Sequence, residues 1–328
     1  MFAMKNKISK VVSLLFGYLV FVSCGSSDDD LNGNGIKPEP TVFEMNYSYS
    51  DVGTNTDYIK THDNLLSPED NQLENTSGLA IGRKNTDFVY IIEGRDNENA
   101  IHVFNKEAEF QGKIILEGAD NIDWQDIAIG PGPDQSTHYI FIGDIGDRQS
   151  NRENLTVYRL PEPDVSGQSI PFEVTVSNFE TIKFSVSEKR DFQTLMVDPF
   201  SGDIIVVGTM QAMVYRLKYP YSTTSVTRAD YKGHHRLRRE IKAGDISPDG
   251  KYILLKDVGE VFKWEVPSDE DPIKVLFETA PERVTYTSEI EGGALGWNAE
   301  SNGYFTLTDT DKRDGIRRGQ PILYGYTR

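Results

Sequence analysis

The fold class this 328-residue sequence predicts is all-β, a single β-propeller of five four-stranded blades, and three observations carry it. Past residue 40 helical periodicity is absent, and short β-branched or aromatic runs alternate with Gly, Pro, Asn and Asp, the pattern of strands and turns. One unit then recurs five times, with matching positions Ser77, Asp126, Thr194, Gly244 and Gly293 spaced 49, 68, 50 and 49 residues apart. Units of this length with four strands each are propeller blades. Last, the fifth unit stops after its third strand at Arg328, while an unpaired strand-like segment, TVFEMNYSY from Thr41, precedes the first unit. That segment is expected to supply the outer strand of the last blade and close the ring. Six blades is the alternative, with a degenerate blade inside residues 164–190 or 42–70.

Taken in chain order, residues 1–23 come first, with Lys5, Lys7 and Lys10 ahead of the apolar run Val11–Val22 and then Ser23, the order of a bacterial export signal. The run is too short for a spanning helix, which needs about 20 residues. Phe21-Val22-Ser23-Cys24 resembles the lipobox of bacterial lipoproteins, with Phe where Leu is usual, and the resemblance implies lipidation of Cys24. The following GSSDDD resembles the acidic export tag of Bacteroidota surface lipoproteins, which implies an outer-membrane lipoprotein facing the medium. Residues 24–40 are Gly, Ser, Asp, Asn and Pro with almost nothing apolar, a flexible tether spanning on the order of 20 Å. The propeller domain is 41–328. Within it each unit opens on a first strand (SGLAIG, DWQDIAIG, DFQTLMVD, AGDIS, EGGALGW), followed by an apolar second (FVYII, YIFIGD, DIIVVG, YILL, YFTL). An aromatic third strand follows (IHVF, LTVYRL, MVYRL, VFKWEV, ILYGY), and the fourth strands are read as GKIIL, TIKFSV, SVTRADY and IKVLF.

Composition narrows the partners. The formal charge is −17 and, once residues 1–23 with their three lysines and no acids are removed, −20, which argues against nucleic acid and anionic membrane surfaces. With the only cysteine, Cys24, taken by lipid, no disulfide is available, and stability rests on a buried core.

The blade register sorts the loops. First-to-second-strand connections are plain turn chemistry on one face. The other face receives first-strand starts and second-strand ends, where Glu93, Arg95, Asp123, Trp124, Asp126, Asp144, Asp147, Arg148, Asp245 and Asp309 are candidate ligand-binding residues around an acidic channel mouth. Asp191, Gln193, Lys256, Glu289 and Glu291 fall on the same face. Crowded carboxylates raise one another's pKa unless a cation neutralises them, so Asp126, Asp144 and Asp147 are candidate ligands for Ca²⁺. DTDKRDG from Asp309 looks like a calcium loop with one residue too many. Two basic clusters, HHRLRR from His234 and KRDGIRR from Lys312, read either as a basic lip for an anionic glycan or phosphate, or as solvated loops balancing nearby acids.

At DWQDIAIGPGPD, YIFIGDIGDR and LTVYRLPEP the chain resembles a bacterial family of exported propeller proteins whose hallmark reads DWEDIA, GDIGDN and YRxPEP. The similarity spans most of residues 74–310; Trp124, Asp126, Asp144 and Asp147 match, whereas Gln125 stands where Glu is usual, as does Gln193, and Arg148 replaces Asn. The resemblance implies the fold and export but no particular activity. No GxSxG elbow or HExxH motif supports nucleophilic or zinc chemistry. The expected function is therefore binding of an extracellular glycan or protein at the channel mouth. The alternative is a glycan-active hydrolase drawing two opposed carboxylates from Asp126, Asp144, Asp245 and Glu291.

Overall fold

The computed structural model describes residues 41–66, 73–236, 239–289, 292–309 and 321–328, with the backbone alone of 311–313 and 316–318. The expectations for the export signal, Cys24 and the tether lie outside these residues. Among the described residues no helix is long and apolar enough to cross a membrane.

Five antiparallel sheets form the blades. From the axis outward, blade one is Thr76–Ile81, Phe88–Glu93, Ala100–Asn105 and Phe110–Leu116. Blade two is Trp124–Pro131, His138–Asp144, Leu155–Pro161 and Glu180–Ser185. Blade three is Phe192–Val197, Ile204–Gly208, Met213–Leu217 and Asp230–His234, and blade four is Ile241–Ile246, Tyr252–Asp257, Val261–Glu265 and Glu282–Val284. Blade five is Ala294–Trp297, Gly303–Leu307, Ile322–Thr327 and, from the far end of the chain, Ile59–Leu65. Each innermost strand touches those of the two neighbouring blades, the fifth touching the first, so the ring closes as a five-bladed propeller.

Both faces of every sheet are covered by a neighbouring blade, which is why the inner strands read as continuous apolar runs rather than alternating ones. Each inter-blade interface carries its own apolar cluster: Phe141, Phe192 and Tyr215 lie between blades two and three, and Tyr58, Trp297 and Tyr304 between four and five. Near the axis the innermost strands come so close that a Cβ on Gly78 would lie 2.8 Å from the Asp126 Cα. Glycine is required there by backbone approach.

Three sequence expectations are corrected. Ring closure does use an N-terminal strand, but it is Ile59–Leu65, pairing antiparallel with Ile322–Thr327. The Thr41 segment instead lies along blades three and four: Phe43 N–H donates to Lys232 O (2.7 Å), its ring stacks on Phe277, and Tyr47 hydroxyl meets His235 Nε2 (2.6 Å). Its aromatic character comes from packing, not pairing. Within SVTRADY, Thr227–Arg228 pairs in parallel with blade two, and the fourth strand of blade three begins only at Asp230.

IKVLF is not a strand but part of the helix Pro272–Glu278. Pro272 opens it with a preset φ, and Asp271 caps it by accepting the Ile273 N–H at 2.9 Å. Asp271 also pairs with Arg216 of blade three. Asp271→Ala is expected to destabilise the protein by about 1–2 kcal/mol, read as a shift in urea midpoint at unchanged slope.

Residues 164–190 hold no sixth blade. Phe172–Val176 reaches back to pair in parallel with Phe110–Leu116 of blade one, and Gly53–Thr54 likewise adds to the outer strand of blade four.

Candidate functional site

First-strand starts, second-to-third-strand connections and the entries to each blade converge on one face, where they enclose an axial cavity of about 550 Å³. All five blades contribute. Blade one supplies Asn75, Thr76 and Ser77, and blade two Gln125, Arg148 and Ser150. Blade three adds Arg190, Asp191, Gln193, Thr209 and Met210, and blade four Glu240, Lys242 and Val258; Gly293 and Asp309 complete the wall from blade five. The lining is polar and mixed in charge, and no described lining residue is aromatic.

Of the ten candidate ligand-binding residues, Arg148 and Asp309 line this cavity. Asp309 Oδ1 accepts the Thr76 N–H at 3.0 Å, tying blade five to blade one. The other candidates are held mainly in structural contacts. Asp126, fully buried, accepts the Ile127 N–H at 2.9 Å and the Leu195 N–H at 2.8 Å, so it straps blade two to blade three. Asp245 does the same two interfaces further on, between blades four and five, accepting the Trp297 N–H at 2.8 Å. Burial, with a smaller contribution from the Asp245 charge, holds the Asp126 carboxyl well above the usual carboxylate range. Burial likewise pushes Asp245 up to about 6, against the pull of Arg83 and two backbone N–H groups.

Asp123 and Asp144 crowd each other, and arginines relieve them. Arg95 reaches Asp123 at 2.8 Å and Arg152 reaches Asp144 at 3.0 Å. Burial still raises the Asp144 carboxyl, with Arg152 offsetting part of the effect. Asp147 accepts the Asn151 and Arg152 N–H groups within its own turn. Burial opposes ionisation of Glu93, yet His102 and the Glu74 N–H outweigh it and hold the carboxyl below its ordinary value. Trp124 is buried, its indole donating to Asp120 O at 2.9 Å and packing on Tyr158, so it offers no stacking face.

In this geometry the three candidate calcium ligands are engaged by groups of the protein itself. Asp126 and Asp147 spend their oxygens on N–H donors, Asp144 faces Arg152, and only Asp144 Oδ2 among them is a buried oxygen without a donor. A hard cation wants six to eight oxygens turned inward. Among the described residues no group of three or more His, Cys, Asp or Glu side chains is gathered for a metal. Part of DTDKRDG lies outside the described residues; Asp311–Arg313 and Ile316–Arg318 form a two-stranded hairpin.

Glu291, Arg238 and the side chains of KRDGIRR also lie outside them, and so does the basic-lip expectation that rests on them. Within HHRLRR, His235 is a core residue against Trp264 and Phe277, and burial lowers its pKa to about 4. Lys256 and Glu289 sit beneath the mouth as a fully buried ion pair at 2.9 Å.

Asp191 and Gln193, placed on this face by the blade register, do line the cavity, whereas Thr76, Ser77, Gln125, Arg190 and Lys242 are lining residues that the register alone did not single out. A signal existed: the position immediately before the aligned repeat residue is Thr76, Gln125 and Gln193 in the first three units, and all three line the cavity. Burial, with a smaller contribution from Asp123, raises the Asp191 carboxyl above its ordinary value, while the Asp147 N–H, Arg148 and Lys242 pull the other way.

Fold and site together define a five-bladed β-propeller with a polar cavity at one mouth of its axial channel. No protein-family model matches the chain, and no curated protein matches it. Among solved structures it is similar to one described as "Structure of U3-55K", at 8% identity and a TM-score of 0.41, over 81% of this chain and 98% of that one.

Proposed function

We propose that this chain is an exported, lipid-anchored surface protein, a member of the DWEDIA-motif propeller family, whose propeller binds a polar extracellular ligand, glycan or protein, in the mouth cavity. The observation that carries the binding reading is the convergence of all five blades on one polar cavity. A propeller mouth of this size suits a small group or the end of a larger molecule. Of the four acids of the hydrolase alternative, Glu291 lies outside the described residues and the other three do not open on this cavity. Asp126, Asp144 and Asp245 are buried and face N–H groups or arginine rather than the cavity, and no opposed pair of them flanks a substrate space. The anchor reading rests on the sequence around Cys24.

One experiment tests both parts. Cells making the full chain are incubated with labelled glycan and extracellular-protein panels, and bound label is normalised to surface protein. Wild type is expected to bind. Arg148→Ala/Lys242→Ala is expected to lose about ten-fold or more at unchanged surface amount, and Cys24→Ser to lose cell attachment. Unchanged binding in the double variant overturns the cavity, and unchanged attachment of the Cys24 variant overturns the anchor.

A further inference from the structure

The cavity rim carries a tight hairpin reversal made by residues that disfavour its backbone conformation. In the second-to-third-strand connection of blade three, Gln211 and Ala212 both have positive φ, 64° and 37°. Residues with a Cβ disfavour that region, and two in succession persist only where their surroundings hold them. Here the surroundings do. Thr209 N–H donates to Asp191 O (3.0 Å), Ile241 N–H to Thr209 O (3.3 Å) and His235 N–H to Ala212 O (3.0 Å).

The result is that Met210 stands 65% exposed at the cavity edge, with Val258, 41% exposed, contributed by the equivalent connection of blade four. Methionine is the adaptable apolar contact of binding surfaces. The same wall carries Arg148, which is exposed, and Arg190, whose Nε is buried without a hydrogen-bond acceptor while Nη2 lies 3.2 Å from Glu188. Guanidinium forks match a carboxylate. On innermost strands, Gln193 offers a carboxamide that can both donate to and accept from a peptide backbone, and Gln125, whose Nε2 already donates to Asp123 Oδ1 at 2.6 Å, offers its carbonyl as a further acceptor. The aromatic platform that a sugar face would stack on is absent from the described lining.

We infer that the ligand of the mouth is an extended peptide that sets an aliphatic side chain against Met210 and Val258 and a carboxylate against Arg148 and Arg190. This rests on the mouth being the binding site. The strained connection holds the apolar contact in place before the ligand arrives, so less ordering remains at binding.

The test uses the purified full chain on an array of Gly-Ser-flanked dipeptides covering every pairing of residue types, beside an array of oligogalacturonates. Aliphatic–acidic pairs are expected to be retained about ten-fold or more above Gly–Gly. Met210→Ser should flatten the aliphatic preference and leave the acidic one, and Arg190→Gln the reverse, with unchanged melting temperature for both. Retention of oligogalacturonates over peptides, lost in Arg190→Gln, overturns the peptide class and leaves the mouth standing. Peptide retention indifferent to Met210→Ser, Arg190→Gln and Arg148→Ala/Lys242→Ala overturns the mouth as well. Retention of no dipeptide above Gly–Gly overturns the inference.

Discussion

Replacing Lys256 with methionine is expected to destabilise the propeller by about 3–5 kcal/mol. The Lys256 ammonium has no exposed surface; it lies 2.9 Å from Glu289 Oε2, donates to Gly292 O and sits 5.4 Å from the centre of the Tyr286 ring. Glu289 uses its other oxygen to accept the Thr306 hydroxyl. Methionine fills nearly the same volume, so the loss comes from stranding a buried carboxylate rather than from a cavity. The double variant Lys256→Met/Glu289→Gln removes both charges together and is expected to recover most of the loss, because a buried pair gains little over neutral groups of similar shape. Urea unfolding of the two variants at one pH decides it. A single-variant loss of about 1 kcal/mol or less would show that the pair is not held as described.

The second large effect is a dependence of stability on pH centred on Asp245. Its carboxyl in the folded chain is pushed up to about 6, whereas an unfolded aspartate titrates near 3.9. The folded state therefore binds the proton more tightly, and the associated stability is fully present below pH about 4 and lost as pH rises through about 6. At pH 7.5 the charge is a net burden on the order of 3 kcal/mol. Asp245→Asn keeps an oxygen to accept the Trp297 N–H and removes the charge. It is expected to raise the unfolding free energy at pH 7.5 and to flatten the slope between pH 5 and 7.5. Asp126→Asn should act in the same direction, since its carboxyl is displaced for the same reason. A parallel slope in wild type and Asp245→Asn would reject the assignment.

The architecture was legible because its signal is redundant: five copies of a strand pattern report the same unit, and the blade count survives local errors. The errors fell where only one copy existed. IKVLF carries the apolar density of a strand, and what marks it as helix is the Asp271–Pro272 pair just ahead, a capping signal that an apolar run easily masks. Ile59–Leu65 was hidden because an outermost strand keeps little buried surface; its residues are mostly exposed and its pattern polar. The site was half legible. Register placed the first-strand starts on the face that holds the cavity and brought Arg148 and Asp309 to it, but aspartate at a first-strand start looks the same in sequence whether it faces water or a neighbouring blade's N–H. Asp126 and Asp245 are of the second kind. The crowding of Asp123 and Asp144 was foreseen from DWQD and GDIGDR, while the arginines that relieve it sit several residues away in loops whose course the repeat does not fix.

The short parallel strands on the outer rims bear on how the molecule behaves at high concentration. A bare outer strand offers unpaired N–H and C=O groups to a second copy, the usual route to edge-to-edge aggregation. Blade one is covered by Phe172–Val176, blade two by Thr227–Arg228 and blade four by Gly53–Thr54, while Phe43 takes a carbonyl on the outer strand of blade three. Among the described residues no further segment pairs with the ring-closing strand of blade five, and it carries Lys60, His62 and Asp63, charged or polar groups that resist the pairing of like edges. Chain segments that first look like irregular insertions thus protect four of the rims and charge protects the fifth, so that copies of the propeller can crowd together without growing into one another's sheets.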